Sequence, residues 1–282
     1  MELLKRSITG VLFVILVIFC LLSGQFWFAG LFAIIVMLTL KEYVLLINRL
    51  QNVYLSSIWV PFSGLLLFLA FFIYNSGLSN STVFAPFLLS LIYLFVRELF
   101  LKSNNPITNL ALSVLGLVYV AFPFSLLTTL AFNIDKVCGP NSYSYLIPIT
   151  LFIIIWCNDI GAYCVGRTIG KHKLFEHISP NKTWEGSIGG AIFSIAASLI
   201  LSLSIPNVYG HLPIWAWIGM AVVIVVFGTL GDLVESLLKR SLKIKDSGKI
   251  LPGHGGLLDR FDSTLIAIPA TTVYLMILSF FF

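Results

Sequence analysis

Nine apolar stretches, each long enough to cross the hydrocarbon of a bilayer, leave this chain few ways to fold. They run over 7–23, 26–48, 57–74, 82–101, 107–132, 145–166, 187–205, 213–235 and 264–281. A membrane helix needs about 20 predominantly apolar residues to cover roughly 30 Å, and about 17 at the short end of the range. The stretches are apolar on every side rather than alternating, which argues against a β-barrel and predicts helices. Lipid offers backbone N–H and C=O groups no partners, and a helix satisfies them within one segment. Composition agrees: 59% of the 282 residues are hydrophobic and 10% are charged, where soluble domains carry about 25% charged residues.

Charge placement then orients the spans. With the N-terminus in the cytoplasm, segments 24–25, 75–81, 133–144 and 206–212 and the C-terminus fall outside. Of the 17 Lys and Arg residues only Lys136 lies in those segments, and Asp135 is their only acid. The positive-inside bias produces this asymmetry. The expectation is an all-α polytopic protein of nine transmembrane helices, N-in and C-out, in a bacterial plasma (inner) membrane. The net charge of +5 is read as the same bias, so no nucleic-acid partner is expected. Lys5 and Arg6 precede the first run as in a signal peptide. That run, however, is followed at once by another and ends in Ser23-Gly24-Gln25 without a small-x-small site, so it is read as the first membrane helix. Cys20, Cys138, Cys157 and Cys164 show neither zinc spacing nor a disulfide framework and are expected to be free thiols.

The chain divides into 1–143, with five transmembrane helices, and 144–282, with four helices and two charged cytoplasmic segments. In the first part Lys41-Glu42 and Arg97-Glu98 read as pairs near helix ends, snorkelling or pairing with each other. The chemistry gathers after position 155. Asp232 stands at the end of the eighth apolar run, and on a continuing helix Ser236, Lys239 and Lys243 share its face within about 60°. Gly228 and Gly231 strip bulk from beside that acid, so another helix or a ligand can approach. The loop that follows contains Lys245-Asp246-Ser247-Gly248 and Pro252-Gly253-His254-Gly255-Gly256, then Asp259-Arg260-Phe261-Asp262 at the start of the last helix. Glycines of this kind let backbone N–H groups converge on an anion. Carboxylates facing basic residues at such a loop suit a phosphate ester bridged by a divalent cation with oxygen ligands.

The second cluster is Asn158-Asp159, Tyr163 and Gly166-Arg167, followed by Ser179-Pro180-Asn181-Lys182-Thr183-Trp184-Glu185-Gly186. Asp159 is an intramembrane acid, which points to function; a structural pair with Arg167, about 12 Å further along the helix, is the plainer alternative. The run Gly166-x-x-x-Gly170-Lys171 is a residue short of a phosphate-binding P-loop, lacks Ser or Thr after the lysine and follows a helix, so that reading is rejected. Residues 179–183 read as a loop and helix entry with Lys182 free to reach a phosphate.

The run Ser236-x-Leu238-Lys239-Arg240-x4-Lys245-Asp246-x-Gly248-x2-Leu251-Pro252-x-His254-Gly255-Gly256-Leu257-x-Asp259-Arg260-Phe261-Asp262 resembles the signature of the integral-membrane phosphatidate cytidylyltransferases, also called CDP-diglyceride synthases. Asp159, Tyr163, Gly166-Arg167 and Ser179-Pro180-x-Lys182-Thr183-x-Glu185-Gly186 also resemble that family's cytoplasmic loop, with Asn181 where a lysine is common. The resemblance covers 158–262; the first 150 residues share only length and hydrophobicity.

The resemblance implies condensation of CTP with phosphatidic acid to CDP-diacylglycerol and pyrophosphate, with Mg2+ as cofactor and a monovalent cation such as K+ sharing its site. It implies a polar cavity open to the cytosol and a homodimer. The family's metal-binding acids fall at Asp232 and Asp259. On that footing Lys239, Arg240, Lys245 and Arg260 neutralise phosphates, and Lys182 and Arg167 close the cavity from the other loop. Asp159, Ser236, Gly255 and Gly256 line the substrate. His254 either protonates the leaving group or bonds backbone, and Asp246 either joins the ligands or orients Lys245 and Lys243. Two other functions share some of these features. A CTP-dependent polyprenol-type lipid kinase would release CDP instead of pyrophosphate. A secondary transporter would need polar groups reachable from both faces near the midplane.

Overall fold

The computed structural model describes residues 2–102, 104–132, 142–204, 212–244, 247–248 and 255–280, with side chains from residue 9 onward. Among these residues seven helices are long and apolar enough to cross a membrane, and the apolar parts of two others, Thr9–Leu22 and Trp59–Asn75, are shorter. The chain is therefore an all-α polytopic membrane protein with one small hairpin. In order, α1 is Glu2–Leu22, α2 Gln25–Ile47, α3 Trp59–Asn75 and α4 Ala85–Leu101, the last led in by a 3-10 turn. One long span follows: α5 (Pro106–Gly116), a π-helical turn (Leu117–Ala121) and α6 (Phe122–Phe132). After it come α7 (Leu146–Ile169), strands β1 (Lys173–Phe175) and β2 (Ser179–Thr183), α8 (Trp184–Ser204), α9 (Ile214–Ser241) and α10 (Leu258–Leu278). Asp135, Lys136 and Cys138 lie outside the described residues; Cys20, Cys157 and Cys164 are free thiols.

Packing follows the rule for helices in lipid, where close approach and interhelical hydrogen bonds replace the hydrophobic drive. The α7/α8 crossing is lined by glycine: a Cβ on Gly190 would come within 2.7 Å of the Asn158 carbonyl oxygen, and one on Gly161 within 3.1 Å of that of Gly189. Hydroxyls bridge the neighbours: Ser194 donates to the Ile154 carbonyl at 3.0 Å, Ser198 to Trp217 at 2.9 Å, and Tyr274 to Ala216 at 2.9 Å. At the end of the bundle opposite the hairpin, the Tyr143 hydroxyl donates to the Leu21 carbonyl at 2.7 Å, and burial raises that phenol's pKa.

The core is aromatic where α10 begins. Phe261, 1% exposed, lies edge-on to Phe13 of α1 (5.5 Å), Phe124 of α6 (5.1 Å) and Phe152 of α7 (6.4 Å). Three helices thus grip one ring, and the residues on either side of it, Asp259, Arg260 and Asp262, are held in register by it.

Two expectations need correction. Residues 179–183 are not a loop but strand β2, paired antiparallel with β1 through Lys173–Thr183 and Phe175–Ser179. The hairpin is closed at its base by Glu185, whose carboxylate accepts from the backbone N–H groups of Lys171 and His172 and meets His172 Nδ1 at 2.6 Å. Lys243 does not continue the face of Asp232. The helix stops at Ser241, and Lys243 adopts a left-handed φ of 56°, which turns the chain away.

Candidate active site

The ends of α7 and α9, the starts of α8 and α10, and the hairpin converge at one end of the bundle. Gly231 makes part of this possible. A Cβ there would sit 2.6 Å from the Asp262 carbonyl oxygen, so α9 lies directly against the first turn of α10 and carries Asp232 beside it. The carboxylates of Asp159, Asp232 and Asp262 are close enough to repel one another, and Lys182 and Arg260 offset part of that charge. Lys182 reaches across from β2 to place its Nζ 2.5 Å from Asp232 Oδ2, and Ser236 donates to Asp232 Oδ1 at 3.3 Å.

A cavity of ≈ 320 Å³ opens here, lined by Asp159, Tyr163, Asn181, Lys182, Thr229 and Asp232 among others. A second cavity of ≈ 170 Å³ lies between α1, α7 and α10, with Thr9, Phe13, Val14, Trp156, Asp159 and Arg260 in its wall. Asp159 lines both. The first is walled largely by polar groups; the second is aromatic and aliphatic apart from Thr9, Asp159 and Arg260.

Asp259 occupies a different environment from Asp232. Its Oδ2 accepts from the Ser247 N–H (3.0 Å), the Ser247 hydroxyl (2.9 Å) and the Gly256 N–H (2.8 Å), and its Oδ1 from Lys239 Nζ (2.8 Å). Lys239 also contacts Glu235, which is fully buried. Gly255, at φ +80°, makes the turn that aims the Gly256 N–H at this carboxylate. The glycine loop therefore does gather N–H groups on an anion, and here that anion is the chain's own aspartate. Among the described residues no group of three or more His, Cys, Asp and Glu side chains is arranged to hold a metal ion.

Other expected residues fall as follows. Arg167 is exposed and donates to the Tyr163 hydroxyl at 2.6 Å, on its own helix, rather than pairing with Asp159. Arg240 is exposed and directs Nε to the Ile178 carbonyl at 3.4 Å, a link from α9 to the hairpin and away from the acids. Lys245, Asp246 and His254 lie outside the described residues. Arg97 and Glu98 do pair, at 3.6 Å, and Glu98 also accepts from Asn109 at 3.1 Å.

Glu42 corrects the view that the first half holds only helix-end pairs. It is buried (3% exposed), and its Oε2 accepts from the Leu258 N–H at 2.9 Å, tying α2 to the first residue of α10. Glu235 and Tyr119 were also missed. The Tyr119 hydroxyl, on the π-helical turn, is buried without a hydrogen-bond partner among the described residues and feels the charges of Glu235, Asp262 and Asp232. The spacing of Glu235 one turn before Lys239 was a usable signal. Glu42 is marked locally only as an acid beside Lys41 in an apolar run, and the Leu258 N–H that it meets lies 216 residues away; nothing local marks Tyr119.

A family model described as the Cytidylyltransferase family matches residues 4–278. A phosphatidate cytidylyltransferase of Staphylococcus haemolyticus (strain JCSC1435) is 32% identical over 272 residues, which are 96% of this chain and 98% of that relative. One from Staphylococcus epidermidis (strain ATCC 12228 / FDA PCI 1200) is 49% identical over 125 residues, 44% of this chain and 47% of the relative. One from Staphylococcus aureus (strain N315) is 46% identical over a stretch of the same length, again 47% of the relative. These two matches thus span about half the length of the curated proteins, whereas the first runs end to end. Because the family match takes in both the acid-bearing helices and the glycine loop, and leaves only three residues at one end and four at the other, the chain belongs to the cytidylyltransferase family.

Proposed function

We propose that this protein is a phosphatidate cytidylyltransferase. A phosphate oxygen of phosphatidic acid attacks the α-phosphorus of CTP, the bond to the bridging oxygen of the β-phosphate breaks, and CDP-diacylglycerol and pyrophosphate result. The observation that carries this reading is the meeting of two unlike cavities at Asp159. One, of ≈ 320 Å³, is polar and contains Lys182 and Asp232; the other, of ≈ 170 Å³, is walled by Phe13, Val14 and Trp156 and ends on Arg260. A water-soluble nucleotide suits the first and the neck of a two-tailed lipid suits the second. The relatives' printed activity supports the same pairing.

Transfers at phosphorus depend on positioning and charge neutralisation more than on covalent help. The phosphatidate phosphate is already anionic, so no strong general base is needed. Lys182 and Arg260 would hold phosphates at the two cavities, and Lys239 and Lys245 would neutralise the departing pyrophosphate; Arg240 would join them only by leaving the Ile178 carbonyl to which it is directed. Arg167 would close the cavity rim. His254 is assigned either to the leaving group or to the loop backbone, and Asp246 to the ligands or to Lys245.

The donor set is compatible with a divalent cation. Asp232 and Asp259 offer oxygen ligands of the kind magnesium takes, and each meets an ammonium group, Lys182 or Lys239, that a cation would have to displace. Magnesium would be held by these two acids and would supply charge neutralisation and polarisation of the nucleotide phosphates; K+ is the monovalent ion proposed to share the site. The N-in, C-out orientation, a cytosolic opening of the polar cavity and residence in the plasma membrane rest on the one-sided distribution of Lys and Arg. A homodimer rests on the family resemblance.

The test is purified protein in detergent with phosphatidic acid, magnesium and α-labelled CTP. Label in an organic-soluble CDP-lipid, with release of pyrophosphate and dependence on magnesium, is the expected result. Label left in water-soluble CDP would replace this reading with lipid phosphorylation.

A further inference from the structure

Glu42 is the one acidic side chain of the described first half that reaches the glycine loop. Its Oε2 accepts from the Leu258 N–H at 2.9 Å. The first N–H groups of a helix have no partner within it, and a buried one costs stability if unmet. Glu42 also fills the space that two loop glycines leave open. A Cβ on Gly248 would run into the Glu42 carboxylate, and one on Gly256 would lie 2.6 Å from Oε2 and 2.8 Å from Oε1. The same short segments bind Asp259 through the Ser247 N–H and hydroxyl and the Gly256 N–H. One carboxylate therefore packs against both sides of the loop and caps the helix, and one residue further on Asp259 takes its bearings from that loop.

The geometry points to Glu42 as a positioning residue for the transfer reaction: its carboxylate from α2 clamps the glycine loop and the start of α10, and so sets the direction of Asp259. It touches neither cavity. The operative feature is the acceptor oxygen and the length of the side chain. Glutamine has both; its amide N–H2 would enter the buried Oε1 position, which lowers stability but leaves the acceptor bond to Leu258 in place. Aspartate keeps the charge but falls one methylene short of Leu258. The inference rests on the activity proposed above only for its kinetic readout.

The experiment compares Glu42→Gln, Glu42→Asp and Glu42→Ala in two readouts. The first is initial-rate kinetics with CTP and phosphatidic acid, normalised to monodisperse protein. The expected kcat is within threefold of wild type for Gln and at least tenfold lower for Asp and Ala, with both KM values moved less than threefold. The second is hydrogen–deuterium exchange, which needs no activity. Peptides over 255–262 should exchange at least tenfold faster in Asp and Ala, and as in wild type in Gln, with the other helices unchanged. If Ala does not fold, the contrast between Gln and Asp carries the test alone. Equal kcat in Gln and Asp, or exchange over 255–262 that is the same in all variants, overturns the clamp. A wild type that leaves CTP untouched overturns the proposed reaction instead, and the exchange pattern still decides the clamp.

Discussion

Lys182 and Asp232 lie 2.5 Å apart, Nζ to Oδ2, although one is carried by a strand between two membrane helices and the other by α9, 50 residues on. The contact fastens the hairpin to the acid-bearing end of α9, and it sets the only basic side chain of β2 in the wall of the polar cavity. Both side chains keep about a quarter of their surface exposed (25% and 29%), so the pair is screened by solvent.

Lys182→Met should therefore separate stability from activity. A partly exposed ion pair contributes about 0.2–1 kcal/mol, and the unfolding midpoint should hardly move. Loss of a cation that meets charge developing on phosphate should lower kcat/KM by about 10²-fold or more. Initial rates with CTP beside thermal unfolding in the same detergent check both. An unchanged rate would remove Lys182 from the site.

The two aspartates should respond differently to the same substitution. Asp232→Asn loses one ion pair at a half-open position, so activity should vanish while stability falls by less than about 1 kcal/mol. Asp259→Asn also turns an amide N–H2 toward donors on Ser247, Gly256 or Lys239. Unmet donors of that kind cost about 1–3 kcal/mol each, so this variant should be both inactive and less stable. Product assays and protease resistance of the 247–256 loop distinguish the outcomes.

At the α7/α8 crossing, Gly190→Val would push a side chain into the Asn158 carbonyl, 2.7 Å from where its Cβ must stand. Overpacking costs about 1–3 kcal/mol when neighbours can shift. Here the obstacle is backbone, so the midpoint should drop by at least that amount. Activity should fall too, because Asp159 follows Asn158 on α7. Retained activity at wild-type stability would show that the two helices are less tightly apposed.

Phe261→Ala tests the anchor of the last helix. Removing a buried Phe from a packed core costs about 3–5 kcal/mol, chiefly through the cavity it leaves. Unfolding in detergent should show a loss of that order, along with lower kcat, since Asp259, Arg260 and Asp262 are indexed by that ring.

Orientation is tested by Lys173→Cys on a background without the native cysteines. A membrane-impermeant maleimide should label the hairpin only when the cytoplasmic face is exposed. Labelling from the outer face of intact cells would invert the proposed topology.

Much of this was legible in the residues. Most bounds of the apolar runs fell within three positions of the observed helices, because a span in lipid is decided by length and polarity; α9 continues six residues past its run and α10 begins six before its own, where polar turns extend the helix. Asp159 and Asp232 were legible as site candidates because charge is costly within an apolar run and seldom present there without a role; Lys182 and Lys239 were legible from the basic segment and the helix face that carry them. The hairpin was not, since Ser179-Pro180-Asn181-Lys182-Thr183 has little strand propensity and its pairing with β1 is closed at the base by Glu185, 13 and 14 residues from the groups it meets. Nor was the fate of Lys243, where the helix was expected to continue and instead turned at a positive φ.

By itself the sequence determined that the chain spans a membrane as helices, that its charges gather at one end of them, and that its second half carries a nucleotidyltransferase-like signature. The first two follow from hydropathy and residue type, which are local, and the third from the resemblance of residues 158–262 to a known family. Only the tertiary structure decided that Asp232 faces Lys182 while Asp259 is wrapped by Ser247, Gly256 and Lys239, and that Glu42 of the second helix reaches the loop before the last. Hydrogen bonds and ion pairs join atoms a few ångströms apart. For Glu42 and Leu258 the packing of α2 against α10 brings together residues 216 positions apart, and no local pattern encodes that approach.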